Sequence, residues 1–173
     1  MMNADDIFFR IRSHWQLKLG LGGILTVGFL AVYHTLQTYP LFPVTIMEPT
    51  WIDRAIPFTP SMVYLYESLW FFMPIAPWLM KSKEEFFRYC KSFVLISLVG
   101  FTICLLWPTS CPRPSQPTDQ NVAYQLLVHI DRELNAFPSF HVIWAIFHGF
   151  CCHTVFRDAK NRRILRGLIW IWM

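Results

Sequence analysis

Charge is what this chain is short of. Asp, Glu, Lys and Arg make up 15% of its 173 residues, against 54% hydrophobic residues and 17% aromatic ones. A protein this small needs more charge than that to cover a water-facing surface, so lipid is the expected solvent and a soluble domain the plainer alternative. Missing too is any Lys/Arg stripe interleaved with aromatics on a polar segment, so the net charge of +4 does not mark a nucleic-acid partner. The five cysteines (Cys90, Cys104, Cys111, Cys151 and Cys152) make no disulfide framework. Four sit in or beside apolar stretches, and only Cys111 lies in a loop expected to face an oxidising compartment. Nor is a cleavable signal peptide expected: the first strongly apolar stretch begins at Leu19, runs about 20 residues and has no small-residue cleavage site before Pro40. Internal repeats and low-complexity segments are not found.

What the chain does have is apolar segments, at approximately 19–38, 61–80, 92–107 and 137–156, with a partial one at 164–173. Crossing the hydrocarbon takes roughly 20 helical residues, so four segments read as full membrane helices and the fifth as about half of one. The fold class is therefore an all-α integral membrane bundle of about five transmembrane segments. Residues 1–18, including IFFRIRSHWQLK, suit a helix lying in the membrane interface, with the ragged start of the first span as the plainer alternative. Residues 19–173 form the transmembrane domain. Five prolines between 40 and 60 predict an extended, interface-hugging first loop with aromatic anchors, and KSKEEFFRYCK (81–91) reads as a solvated connection.

Orientation follows from the basic residues. Twelve of the fifteen Lys and Arg fall in the N-terminal flank and in the second and fourth loops; only Arg54, Arg113 and Arg132 fall in the first and third. Cytoplasmic loops carry the excess, which puts the N-terminus in the cytoplasm and the third loop outside. A partial segment ending on IWIWM in mid-bilayer points to a chain cut short or to an end lying in the interface.

The third loop begins WPTSCPRP (107–114), and the following segment opens NAFPSFHV (135–142). Pro112 and Pro114 fix the backbone on both sides of Arg113, and a guanidinium so held can grip a phosphate with two parallel hydrogen bonds. Ser139 follows a proline at the expected first turn of the fourth helix, where free N–H groups and the helix dipole attract anions. His141, in the same turn, is within reach of such an anion and able to protonate a leaving oxygen. Taken singly, a loop Arg is an interfacial anchor and a His near a helix start is a cap or a packed residue. Flanking one outward loop together, Arg113, Ser139 and His141 point to function.

The remaining polar residues carry less. Adjacent Cys151 and Cys152 point about 100° apart on a helix, so with His153 they are read as packed or lipid-facing rather than as a metal site. Glu67, an intramembrane carboxylate, either bonds to hydroxyls on a neighbouring helix or lines a head-group cavity. His34 and His148 are read as buried helix contacts. A transporter finds little support, because the apolar segments suggest no broken helices.

At these residues the chain resembles the membrane-bound type 2 phosphatidic acid phosphatase superfamily, whose motifs are K-x6-R-P, P-S-x-H and S-R-x5-H-x3-D. Arg113 and Pro114 represent the first motif, and Pro138, Ser139, Phe140 and His141 match the second in full. IDRAIPFTPSMVYLYES (52–68) and WPTSCPRP look like the branch related to inositol phosphorylceramide synthases. The resemblance spans roughly 52–173 and rests on order and topology: the first motif ends the third segment and the second opens the fourth. It implies six helices in a complete member. Arg113 and Ser139 would bind phosphate, and His141 would be the general acid. A second histidine would attack phosphorus, no metal or cofactor being needed. The implied partners are membrane lipids and a lipid phosphate or diphosphate substrate; the implied location is a bacterial inner membrane, with the site toward the periplasm. Two departures stand out. Leu106 occupies the lysine position of the first motif, and no histidine has Asp four residues later; those positions hold Lys18, Thr38, Glu133, Ala145, Cys152 and Arg157. The third motif is thus expected beyond residue 173, with a catalytically silent protein that binds lipid phosphate or a partner as the alternative.

Overall fold

The computed structural model describes residues 4–111, 121–158 and 162–172, and among them the chain is mostly helical, with almost no strand. Helix α1 (Ala4–Arg12) is separate from α2 (Trp15–Thr38), because His14 takes a left-handed backbone at φ 52° and breaks the run. The Lys18 ammonium ties the break together by donating to the carbonyls of Arg10 (2.6 Å) and Trp78 (2.9 Å).

Helix α2 and helix α7 (Lys83–Leu106) each have 24 residues, and both are long and apolar enough to cross a membrane. At 1.5 Å per residue each spans about 36 Å, more than a typical hydrocarbon core. They pack along one another, with Phe29 meeting Phe93 edge-on at 5.9 Å and Phe101 face-on at 5.1 Å. The outer faces expose Leu19, Ile24 and Val27 on α2 and Leu95, Leu98 and Val99 on α7. Apolar rows of this length suit a lipid solvent.

Three expectations from the sequence need correction. Helix α7 begins at Lys83, so most of KSKEEFFRYCK is helix rather than connection. The Ser82 hydroxyl caps it by accepting from the Glu85 N–H at 3.2 Å, and Glu84 and Glu85 favour the positive end of the helix dipole. The 61–80 stretch is not one regular span. A 3₁₀ turn at Pro60–Met62 leads into three short helices, α4 (Val63–Glu67), α5 (Leu69–Phe72) and α6 (Ile75–Trp78). Pro74 and Pro77 lack the N–H that would continue a ladder, and Ser68 turns its hydroxyl back on the Leu65 carbonyl. A broken helix is therefore present. Finally, the third loop contains a helix, α8 (Val122–Ile130), capped by the Asn121 side chain and anchored by buried Tyr124, which meets Phe58 edge-on at 5.3 Å.

The first loop is also more ordered than a Pro-rich stretch predicts. It holds a two-residue strand, β1 (Thr45–Ile46), and a short helix, α3 (Trp51–Ala55). A reciprocal capping box starts α3: the Thr50 hydroxyl and N–H both donate to the Asp53 carboxylate, which holds that carboxyl below its usual range.

Helix α9 (Phe140–Val155) crosses the middle of the bundle against α5, α6 and α10 (Arg162–Trp172). Its 16 residues are fewer than the 20 the apolar stretch suggested, because Ser139 caps it after Pro138. Phe140 and Trp144 from α9 join Phe29, Leu69, Phe93 and Cys104 in the central core. Gly100 on α7 makes this approach possible: a Cβ there would lie 2.6 Å from the tip of the Phe140 ring.

Candidate active site

The site is assembled by hydrogen bonds between loops far apart in sequence. Strand β2 (Thr109–Ser110) lies parallel to β1, so WPTSC is clipped to the first loop, and the Trp107 indole donates to the Thr45 hydroxyl at 3.0 Å. Thr109, wholly buried, then holds the approach to α9. Its hydroxyl accepts from the Phe137 N–H at 2.8 Å and donates to the Phe137 carbonyl at 3.1 Å, while its own carbonyl accepts from Ala136. The two halves of the sequence pattern, WPTSC and NAFPSFH, are thereby held edge to edge. From the other side, Gln37 at the end of α2 donates to the Asp131 carboxylate at 2.9 Å and to the Leu134 carbonyl at 3.3 Å.

Ser139 stands just before α9 as its N-cap, not inside the first turn as expected. Its hydroxyl oxygen accepts from the Val142 N–H at 3.4 Å, which leaves its proton free to be donated elsewhere. His141 is the second residue of the helix. Its ring stacks on Tyr66 with centroids 3.9 Å apart, Nδ1 lies 2.7 Å from the Tyr66 hydroxyl, and Trp70 meets the ring edge-on at 6.2 Å. Tyr66, near the end of α4, and Trp70, in α5, thus both reach the imidazole from the broken 61–80 stretch. The other ring nitrogen, Nε2, is buried and has no hydrogen-bond partner.

Two cavities meet at this imidazole. A polar one of about 180 Å³ is lined by Tyr66, Cys111, Arg132, Asn135, Ser139 and His141 among others. An apolar one of about 510 Å³ is walled by residues such as Leu30, Trp70, Leu126, Leu127, His141 and Trp144. Tyr33, Asp131, Phe140 and His141 line both. The imidazole therefore stands at the boundary between a polar cavity and an apolar one.

Of the residues singled out from sequence, Ser139 and His141 come together on the polar cavity. Arg113 lies outside the described residues; Cys111, two positions earlier, lines the same cavity. Glu67 lines the apolar cavity. His148 is buried, bonded to the Tyr89 hydroxyl at 2.9 Å and the Trp144 carbonyl at 2.7 Å. His34 is not buried; it is exposed on α2 and lines the apolar cavity. Cys151 and Cys152 pack in the lower part of the bundle, Cys151 beside the Met80, Phe86 and Cys90 cluster. Sequence reasoning passed over Tyr66, Thr109, Asn135 and Asp131. Tyr66 and Trp70, spaced i and i+4 beside Glu67, and the polar residues running from Asp131 to Asn135 ahead of the proline were the signals available.

Among known protein families, the one described as the PAP2 superfamily matches residues 32–173. Neither the curated proteins nor the solved structures gave a match.

Proposed function

Since the chain belongs to the PAP2 superfamily, we propose that it acts on a lipid phosphate or diphosphate as a membrane phosphatase or phosphotransferase of the inositol phosphorylceramide synthase-like branch. One observation carries this reading: His141 sits in the wall shared by a small polar cavity and a larger apolar one. A lipid phosphate has that same division, with the bond to be broken at the join. The phosphoryl group fits the polar side against Ser139, with Arg113 supplying the charge its motif position implies, and the hydrocarbon fits the side walled by Leu30, Leu126 and Leu127.

In the reaction, His141 gives its Nε2 proton to the oxygen that leaves phosphorus as the phosphoester bond breaks. The electron pair of that bond goes to the same oxygen. The attacking group that the family pattern implies is a second histidine, which forms a phosphohistidine that water or an alcohol resolves. In this reading the bundle has about five membrane segments. The membrane is a bacterial inner membrane, with the N-terminus cytoplasmic and the site toward the periplasm. A second reading, a silent protein that binds lipid phosphate, is favoured by one observation: no histidine here has Asp four residues later.

Sequencing past codon 173 separates the two. A Ser or Thr, then His seven positions on and Asp four further, supports the enzyme, and a stop codon supports the silent reading. In the complete protein, His141→Ala is expected to lower phosphate release from lipid phosphate by roughly 10²–10⁴-fold while insertion into the membrane is unchanged. Undiminished turnover would sink the assignment.

A further inference from the structure

Asn135 is buried to within 5% of full enclosure and lines the same polar cavity as Ser139 and His141, yet its Nδ2 has no hydrogen-bond partner. A buried amide donor left unpaired costs free energy that a native fold seldom leaves uncompensated. The backbone at this residue is also unusual. Asn135 has φ 62°, in the left-handed region that asparagine tolerates better than most side chains, and it is one of two non-glycine residues with positive φ among those described. The turn is held from both sides, by the Ser110–Leu134 bridge before it and by Thr109 on Ala136 and Phe137 after it. The loop therefore fixes a strained position so that one amide stands at the cavity wall. His141 Nε2 is the other buried nitrogen on this cavity without a partner.

The Asn135 Nδ2 can only donate, and His141 Nε2 donates too in the tautomer whose Nδ1 accepts from the Tyr66 hydroxyl, so one acceptor-rich ligand satisfies both. We propose that Asn135 is a phosphate-binding residue: its amide donates to one oxygen of the phosphoryl group while His141 Nε2 and the Ser139 hydroxyl donate to others. The inference rests on the phosphate reading above and adds to it a residue that no motif of the family resemblance names. Arg132, an exposed cation on the same cavity, supplies charge that the first motif lacks at Leu106. Two carboxylates share the wall, Asp131, which accepts from Gln37, and Glu133, which is exposed. Their negative charge makes the number of donors decisive, since each lost donor leaves the phosphate facing a larger share of repulsion.

The test uses the 173-residue chain in lipid nanodiscs, with inorganic phosphate as the probe, followed by calorimetry and by ³¹P line broadening. Asn135→Asp keeps the shape and the tolerance for positive φ but replaces a donor with a negative acceptor; Asn135→Gly keeps the backbone freedom and removes the amide. Thermal melting within a few degrees of the parent confirms that each variant is folded. Phosphate affinity is expected to fall about tenfold in Asn135→Gly, the loss of one hydrogen bond to a charged group, and by more in Asn135→Asp. Binding unchanged in both folded variants, but lost in His141→Ala, overturns the role of Asn135 and leaves the phosphate site standing. No binding by the parent chain overturns the phosphate reading, and Asn135 falls with it.

Discussion

Tyr66 decides which nitrogen of His141 can do chemistry. Its hydroxyl occupies Nδ1 at 2.7 Å and its ring covers one face of the imidazole, so Nε2 is the nitrogen left to meet a ligand. Either partner can carry the shared proton, but in both arrangements Nε2 is the one that exchanges protons with whatever enters the polar cavity. Tyr66→Phe keeps the stacked ring and removes the hydroxyl. In the chain labelled with ¹⁵N-histidine, the His141 signals are identified by their loss in His141→Gln, and Tyr66→Phe is expected to move the Nδ1 resonance. Phosphate affinity should weaken by about 1 kcal/mol, the net worth of one hydrogen bond that orients the ring. An unmoved Nδ1 resonance would mean that the stack alone sets the ring. Ser139 acts at the same scale by spending its oxygen lone pair on the Val142 N–H and keeping its proton for the ligand. The helix start was legible in P-S-x-H, although the sequence put Ser139 inside the first turn and the structure makes it the N-cap. The Tyr66 contact was not, since it joins residues 75 positions apart.

At the scale of elements, the notch at Gly100 sets how α9 enters the bundle. The Phe140 ring fills it and is hemmed in by Phe29 at 5.0 Å, Phe101 at 5.1 Å and Tyr33 at 5.6 Å, so it has little room to yield. A methyl group at Gly100 would meet the ring tip at 2.6 Å, and Gly100→Ala is expected to cost about 1–3 kcal/mol and to weaken phosphate binding, because Phe140 lies between Ser139 and His141. Gly28, with nothing within 4 Å of an added Cβ, provides the opposite sign: Gly28→Ala is expected to be neutral or to stabilise α2 by up to about 1 kcal/mol. Thermal unfolding of the two variants in the same detergent checks both, and equal melting would show that the notch is not tight. The start of α7 was legible too, in the Ser82 and Glu85 spacing, but the run of charges after Lys81 outweighed it in a reading based on hydropathy. The breaks at Pro74 and Pro77 were equally visible as prolines; apolar continuity masked them. Helix α8 was hidden for another reason. Its nine residues are too few for a span, and it gains its stability from tertiary contacts such as Tyr124 on Phe58.

For the molecule as a whole, the arrangement of loops makes the site one-sided. β1 from the first loop, β2 from the third and the turn before α9 all meet at one end of the long helices, while α1, the Lys18 contacts and the start of α7 gather at the other. The basic residues are distributed in the same way, with Lys81, Lys83, Arg88 and Lys91 at the α1 end and only Arg54, Arg113 and Arg132 in the loops around the site. In the orientation proposed above, that asymmetry corresponds to a polar cavity facing outward. Cys111 offers a direct reading, because it is exposed and lines the cavity, whereas Cys90, Cys104 and Cys152 are buried. A thiol reagent that cannot cross membranes should label Cys111 in intact cells, and the Cys111→Ser variant should lose that label. Labelling that requires permeabilised cells would turn the molecule over. The phosphate would then be met on the cytoplasmic face, and the positive-inside count would have been set by some feature other than the loops.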